Sequence, residues 1–409
     1  MKRLKVDYNR IGALSYEILR SVKGLEELSL AYNIIREIPK GTFQDLSQLK
    51  ILNLYGNQIA ALDQDTFAGT EANLEYVDLG FNIIEEISPD ISLPALKYLN
   101  LAKNKLVEIE GAFNLLSTLN VLILRENGIE KVTPFTFTGM DNLISIDLSQ
   151  NYIRTLESGV FGNNYLNEVN MSGNLLKELE EETFVNLPIL ESLDLSHNNL
   201  IGIKNGAFDA IPRLKKLYMT HNRLSSYKGD YFANMGNDTD LHTLELSHNE
   251  LTYLYPESFM YHPQLTYVNF AHNKFSFFPT QFIRNLKYLK DLKLNDNLIK
   301  TIDDGDFANL PMLQDLDLSR NELSTVSESA FQNSSQLQRI NLSHNKISGL
   351  KSDTFSGTIR LILDLSHNNL TSMTRGMFQR PKVMRLQDID LSYNGFTRIP
   401  VDVLQSQYF

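Results

Sequence analysis

Six of the eight histidines stand immediately before an asparagine: His197, His221, His248, His272, His344 and His367. Four of them fall in consecutive turns of a repeating pattern. If those turns stack, the imidazoles form a column that could take up protons near neutral pH or hold a metal ion. A second series alternates carboxylates with amides: Asn53, Asp78, Asn100, Asp147, Asn170, Asp194, then Asn269, Asp317, Asn341, Asp364 and Asp390. Calcium takes about six to eight oxygen ligands, which such a row could supply. The interposed asparagines dilute the charge, so the expectation is no metal and no cofactor. A Ser-His-Asp combination can be drawn from the repeats, but their composition alone produces it. No phosphate-binding glycine loop and no His/Cys metal spacing accompanies it. With no catalytic residue to name, the chain reads as a binding protein, not an enzyme.

These residues are positioned by an apolar phrase that ends in asparagine about every 24 residues. Clear copies are Leu25-x-x-Leu28-x-Leu30-x-x-Asn33 and Leu313-x-x-Leu316-x-Leu318-x-x-Asn321. About 17 frames run from Asn9 to Asn394, the first and last incomplete, and they make residues 1–409 one array without capping domains. Within each phrase the leucines alternate with the period of a short strand. Leu25, Leu28 and Leu30 point inward, and Glu27, Ser29 and Ala31 point outward. Strands stacked one per repeat must run parallel, about 4.8 Å apart.

The asparagine stands where the chain leaves the strand. Its amide must find partners in a dry interior, and the turning backbone of its own and the neighbouring repeat can supply them. Ten residues later a phenylalanine recurs, from Phe43 and Phe67 to Phe355 and Phe378, with Phe113 and Phe282 one residue early. These rings predict a second spine, with short helical turns such as residues 41–46 around it. The expected fold is α/β: a solenoid curved into a horseshoe, with a parallel β-sheet on the concave face and short helices or turns on the convex face.

The phrase, its period and the phenylalanine spine resemble the leucine-rich repeat superfamily throughout, in its 24-residue extracellular class. Within that class the Leu-Ser-His-Asn word and the Asx row are common features. Repeats this dense, without interrupting domains, resemble cell-surface adhesion proteins of the chaoptin type. That resemblance implies recognition of a protein partner, including self-recognition, at the plasma membrane through an anchor outside this segment. The alternative in the same class is the ligand-sensing ectodomain of a Toll-like or other signalling receptor.

Composition agrees with an extracellular location. The chain has no cysteine, as expected for the interior of a secreted array whose disulfides are confined to end caps. Its net charge of −11 and the absence of a basic stripe argue against nucleic acid as a partner. No apolar run is long enough to span a bilayer.

The outward strand positions carry the candidate partner site. Ile51, Tyr55, Tyr76, Tyr98, Val121 and Ile123 cluster in successive repeats, and Tyr218 and Tyr267 form a second group. Aromatic side chains on a rigid sheet make good anchors, although tyrosine and β-branched residues also suit strands in themselves. Asn-x-Ser/Thr sequons occur at Asn170, Asn237, Asn333, Asn341 and Asn369. Asn237, Asn333 and Asn369 are the candidate glycan acceptors, since a glycan on Asn170 or Asn341 would cover the sheet.

Overall fold

A computed structural model describes residues 1–409 except 163–164, 210, 233–238, 256, 284, 308, 333, 376, 379–382 and 402–409. The chain divides into two compact units, Met1–Leu214 and Lys215–Phe409. In the first, nine short strands form a parallel sheet: Arg3–Lys5, Glu27–Ser29, Ile51–Asn53, Tyr76–Asp78, Tyr98–Asn100, Val121–Ile123, Ser145–Asp147, Glu168–Asn170 and Ser192–Asp194. Each pairs with its successor in the same register, so Ile51, Tyr76, Tyr98 and Val121 are direct neighbours across four strands. The register passes through the short frame between Asn82 and Asn104 without a shift, so the missing residues are absorbed outside the sheet.

In the second unit eight strands do the same: Lys216–Tyr218, Thr243–Glu245, Tyr267–Asn269, Asp291–Lys293, Asp315–Asp317, Arg339–Asn341, Thr358–Asp364 and Val383–Asp390. One irregularity lies in the last pair. Leu361 faces Leu386 while Ile362 faces Asp388, so Gln387 is left over as a bulge. The phrase that starts at Leu361 is one residue short, and the bulge takes up that difference.

The asparagine ladder rests on three bonds per step, beside a further contact of Nδ2 with the carbonyl two residues back. Asn57 donates from Nδ2 to Leu54 O of its own turn at 2.9 Å and to Leu30 O of the preceding turn at 3.0 Å. Its Oδ1 accepts from Ile35 N at 3.0 Å. Asn321 repeats the set with Leu318, Leu294 and Ile299. An aspartate here would lose the two donated bonds, and a leucine all three. Unpaired buried backbone groups cost about 1–3 kcal/mol each.

The phenylalanine spine is present in both units. Phe137, Phe161, Phe184 and Phe208 stack at 5.8–6.1 Å between centroids, and Phe307, Phe331, Phe355 and Phe378 at 5.0–6.1 Å. Around the rings the expected short helices or turns are mostly turns. In residues 39–46 each bond spans three residues: Thr42 N to Pro39 O, Gln44 N to Gly41 O, Leu46 N to Phe43 O. Among the described residues only Tyr16–Leu19 and Thr280–Ile283 are α-helical segments, and Gly229–Phe232 is a 3₁₀ segment. A crossing this short has room for i→i+3 bonds and little more.

The inward and outward reading needs one correction. Ser29 and Ala31 leave the sheet on the outward side, yet both are buried. Asp7 of the preceding turn covers them, accepting from Ser29 Oγ at 2.6 Å and from Ala31 N at 2.9 Å.

Candidate functional site

The exposed sheet face of the first unit carries one outward row that changes character along its length. It begins with Arg3 and Glu27, continues through Ile51, Tyr76, Tyr98 and Val121, and returns to polar residues at Ser145 and Glu168. At its centre Tyr76 and Tyr98 stack with centroids 4.3 Å apart and planes 2° from parallel. Burial pushes the Tyr98 phenol well above its ordinary value, and the neighbouring Tyr76 adds to the shift. The pair therefore stays neutral, with hydroxyl donors at the end of an apolar platform. Ile123 interrupts the adjacent Asx row, which adds a further apolar position beside Val121.

That Asx row has a structural role. Each member accepts from the backbone N–H two residues on, from Asn53 and Tyr55 N at 3.0 Å to Asp390 and Ser392 N at 2.8 Å. The same bond is made by Asp78, Asn100, Asp147 and Asp194. These oxygens close the strand exit. No group of three or more metal-ligating side chains lies together among the described residues.

Tyr55 does not stand in the platform row. It belongs to a second column, at the edge where the chain leaves the sheet. There Tyr8 stacks on Tyr32 at 4.4 Å, Tyr32 meets Tyr55 edge-on at 5.3 Å, and Tyr55 faces Phe81 at 6.0 Å. Tyr8 and Phe81 are 76% and 53% exposed. Sequence reasoning passed over Tyr8, Tyr32 and Phe81, although each precedes a ladder asparagine as the histidines do. Every residue at this position has a left-handed backbone, with φ of 52–57° wherever it is not glycine.

In the second unit the same position holds five of the six histidines, His197 lying in the first. His221 stacks on His248 and His248 on His272, each at 4.0 Å, and His272 Nε2 lies 3.5 Å from Asp296 Oδ2. His344, His367 and Tyr393 form another stack with the same spacing. Ring nitrogens of parallel imidazoles point sideways and cannot converge on one ion. Burial lowers the His344 pKa, and the adjacent His367 lowers it further.

Tyr218 and Tyr267 lie in different rows, on either side of Glu245. Burial raises both the Glu245 carboxyl and the Tyr267 phenol, and a hydrogen bond joins them. Lys293 Nζ sits 5.3 Å from the Tyr267 ring centre. Around them Asp291, Asp315 and Asp317 make this face more charged than the Tyr76–Tyr98 platform, and Arg339 pairs with Asp315.

Among the sequons, Asn369 is exposed. Asn170 and Asn341 each accept two bonds, from the backbone and the hydroxyl of Ser172 and Ser343. Asn237 and Asn333 lie outside the described residues. No helix among the described residues is long and apolar enough to cross a membrane.

Comparison with known proteins agrees with this geometry. A family model described as leucine rich repeat matches residues 1–59, 47–106, 117–174, 164–224, 263–323 and 311–361. The chain is 29% identical to Tsukushi of Gallus gallus over 218 residues, 46% of this chain and 59% of the relative. It is 27% identical to podocan of Mus musculus over 339 residues, 69% of this chain and 54% of the relative. It thus spans a little over half the length of these relatives. Among solved structures, the Toll–Spatzle complex of Drosophila aligns with a TM-score of 0.73 at 22% identity, covering 96% of this chain and 60% of that one. At that identity the likeness is one of fold.

Proposed function

Since the chain belongs to the leucine-rich repeat family, we propose that it recognises a protein partner outside the cell through the exposed sheet face of its first unit. It is a binding protein and carries out no reaction. The observation that carries this reading is the Tyr76–Tyr98 stack, held at 4.3 Å on a sheet whose register leaves it no alternative position. Two rigid aromatics flanked by Ile51, Val121 and Ile123, with polar residues at both ends of the row, have the make-up of an interface core and its rim. Tyr218 and Tyr267 form a secondary contact.

The biological role we assign is cell adhesion of the chaoptin type, with a second copy of the chain as partner and an anchor supplied from outside these residues. The net charge of −11 favours protein over nucleic acid. Ligand sensing by a receptor ectodomain is the second reading, favoured by the fold likeness to Toll in complex with Spatzle.

Cell aggregation tests the first reading. Cells displaying the chain should cluster, and Tyr76→Ala with Tyr98→Ala should abolish clustering, since an anchor of this kind contributes ~2 kcal/mol or more. A concentration-independent monomer in light scattering, together with unclustered cells, would rule out self-recognition. A transmembrane helix and signalling domain in the full reading frame would then favour the receptor.

A further inference from the structure

The short frame between Asn82 and Asn104 contributes to an open flank of the first unit. Ala61–Leu62 and Glu86–Ile87 pair there as a two-stranded parallel ladder, and Ser88 N donates to Leu62 O at 2.8 Å. Pairing with the next turn stops at Lys105, whose N–H donates to Ile84 O at 2.9 Å. Among the described residues no backbone N–H from 107 to 110 donates to the preceding turn. Where the turns part lies an open groove of about 760 Å³.

Its floor is apolar, formed by Leu62, Ile87 and Val107, and Val107 is 48% exposed. Its rim is acidic: Asp63, Glu85, Glu86, Glu108 and Glu110 all line it. Lys105 is the one cation in the lining and is already paired with Glu85 at 3.3 Å. Glu110 accepts from Thr133 Oγ1 at 2.8 Å. The groove therefore combines an unfilled apolar floor with an excess of negative charge. A neutral apolar segment would leave that charge uncompensated, and an acidic one would be repelled.

We propose that this groove takes an extended basic segment of a protein partner. Side chains of an extended chain alternate between two faces, so apolar residues reach the floor while lysines or arginines between them meet the rim. The site lies off the sheet face and does not depend on the Tyr76–Tyr98 reading.

A fluorescein-labelled hexapeptide of alternating lysine and valine, titrated into the full chain at low salt, tests the proposal by fluorescence anisotropy. It should bind. Glu86→Lys with Glu108→Lys should weaken binding at least tenfold, and Val107→Ser severalfold. Glu178→Lys with Glu181→Lys makes the same charge change at exposed residues of a later turn that does not line the groove and should alter binding less than twofold. All five positions are exposed, so circular dichroism of each variant should match the parent chain. Equal weakening by both double variants would reduce the effect to net charge. A lysine–glycine hexapeptide that bound as tightly as the lysine–valine one would remove the apolar floor from the argument. Either result, or no binding at all, would overturn the proposal.

Discussion

Acid should weaken the second unit through one buried imidazole. His262 is fully buried between Tyr227, Thr239 and Phe232. Thr239 Oγ1 lies 2.6 Å from Tyr261 O and must donate its single proton there, so it accepts from His262 Nδ1–H at 2.9 Å. Nε2 is then the acceptor for the Tyr227 hydroxyl at 3.2 Å. The ring is satisfied as a neutral species and has no place for a second proton. Burial accordingly lowers its pKa from 6.5 to about 3. In the unfolded chain the imidazole titrates normally. Below pH 6.5 the unfolded state binds a proton that the folded state refuses, so stability falls as pH drops toward 3. Linkage between those two values gives a loss of about 2 kcal/mol from pH 7 to pH 5, and roughly 3 kcal/mol by pH 4. Guanidinium unfolding followed by tyrosine fluorescence at pH 7, 6 and 5 measures the slope. His262→Leu removes the titrating group, so the variant, whatever its stability at pH 7, should lose about 2 kcal/mol less over that interval. Parallel pH profiles for the two proteins, or an NMR titration placing His262 near 6.5, would refute the reasoning.

Six further outcomes are expected. Asn321→Ala breaks the bonds to Leu294 O, Leu318 O and Ile299 N and should cost roughly 3–5 kcal/mol, read as a lowered denaturation midpoint with the exposed sheet face intact. Gly69→Ala should cost roughly 2–4 kcal/mol, because φ is +95° and a Cβ would come within 2.4 Å of the Gln44 backbone. Gly349→Ala, where a Cβ meets nothing within 4 Å, should instead raise the midpoint by about 0.4–1 kcal/mol. Peptide mapping of the protein from its native source should find a glycan on Asn369 and none on Asn170 or Asn341, whose amides are tied into the sheet exit. Finally, Gln150→Asn relieves a left-handed backbone of φ 56° and should stabilise by about 0.5–1 kcal/mol. Tyr32→Asn relieves the same strain but gives up two ring contacts, so calorimetry should find it neutral or destabilising.

Much of the fold was legible because the repeat states each structural demand many times over. The leucines fall where the sheet needs them, the asparagines at the bonds of the ladder, and the phenylalanines in a stacked spine. Three things were hidden. Tyr55 was grouped with the platform because it lies two residues beyond an outward position, yet the chain has already turned there and delivers it to the edge. The left-handed position escaped notice because glycine or asparagine normally marks it, whereas here only Gly56 and Gly173 do and the rest are aromatic, histidine, charged or glutamine residues. His262 was hidden by its single occurrence. Aligning the frames reveals it, since the residue three beyond the spine phenylalanine is Leu46, Leu116 or Leu187 elsewhere.

The edge column also explains how so regular a structure can vary its surface. Its backbone is held by main-chain bonds to the next turn, as when Tyr32 N donates to Tyr55 O at 2.7 Å and His248 N to Ala271 O at 2.9 Å. With the ladder asparagine beside it, that bond offsets the roughly 1–2 kcal/mol of a left-handed non-glycine residue, whichever side chain is attached. The side chain is thus released from structural duty. It is also placed about 4 Å from its counterpart one turn away, a separation at which rings stack and opposite charges pair. Substitutions there change the surface without changing the fold. In the first unit the column runs from Tyr8 and Tyr32 through Phe81, with Lys103 Nζ 5.9 Å from the Phe81 ring centre, to Glu126. In the second it runs from stacked histidines to Asp296. An aromatic edge and a histidine edge therefore arise from one backbone position, and the surface can diverge between the units at little cost in stability.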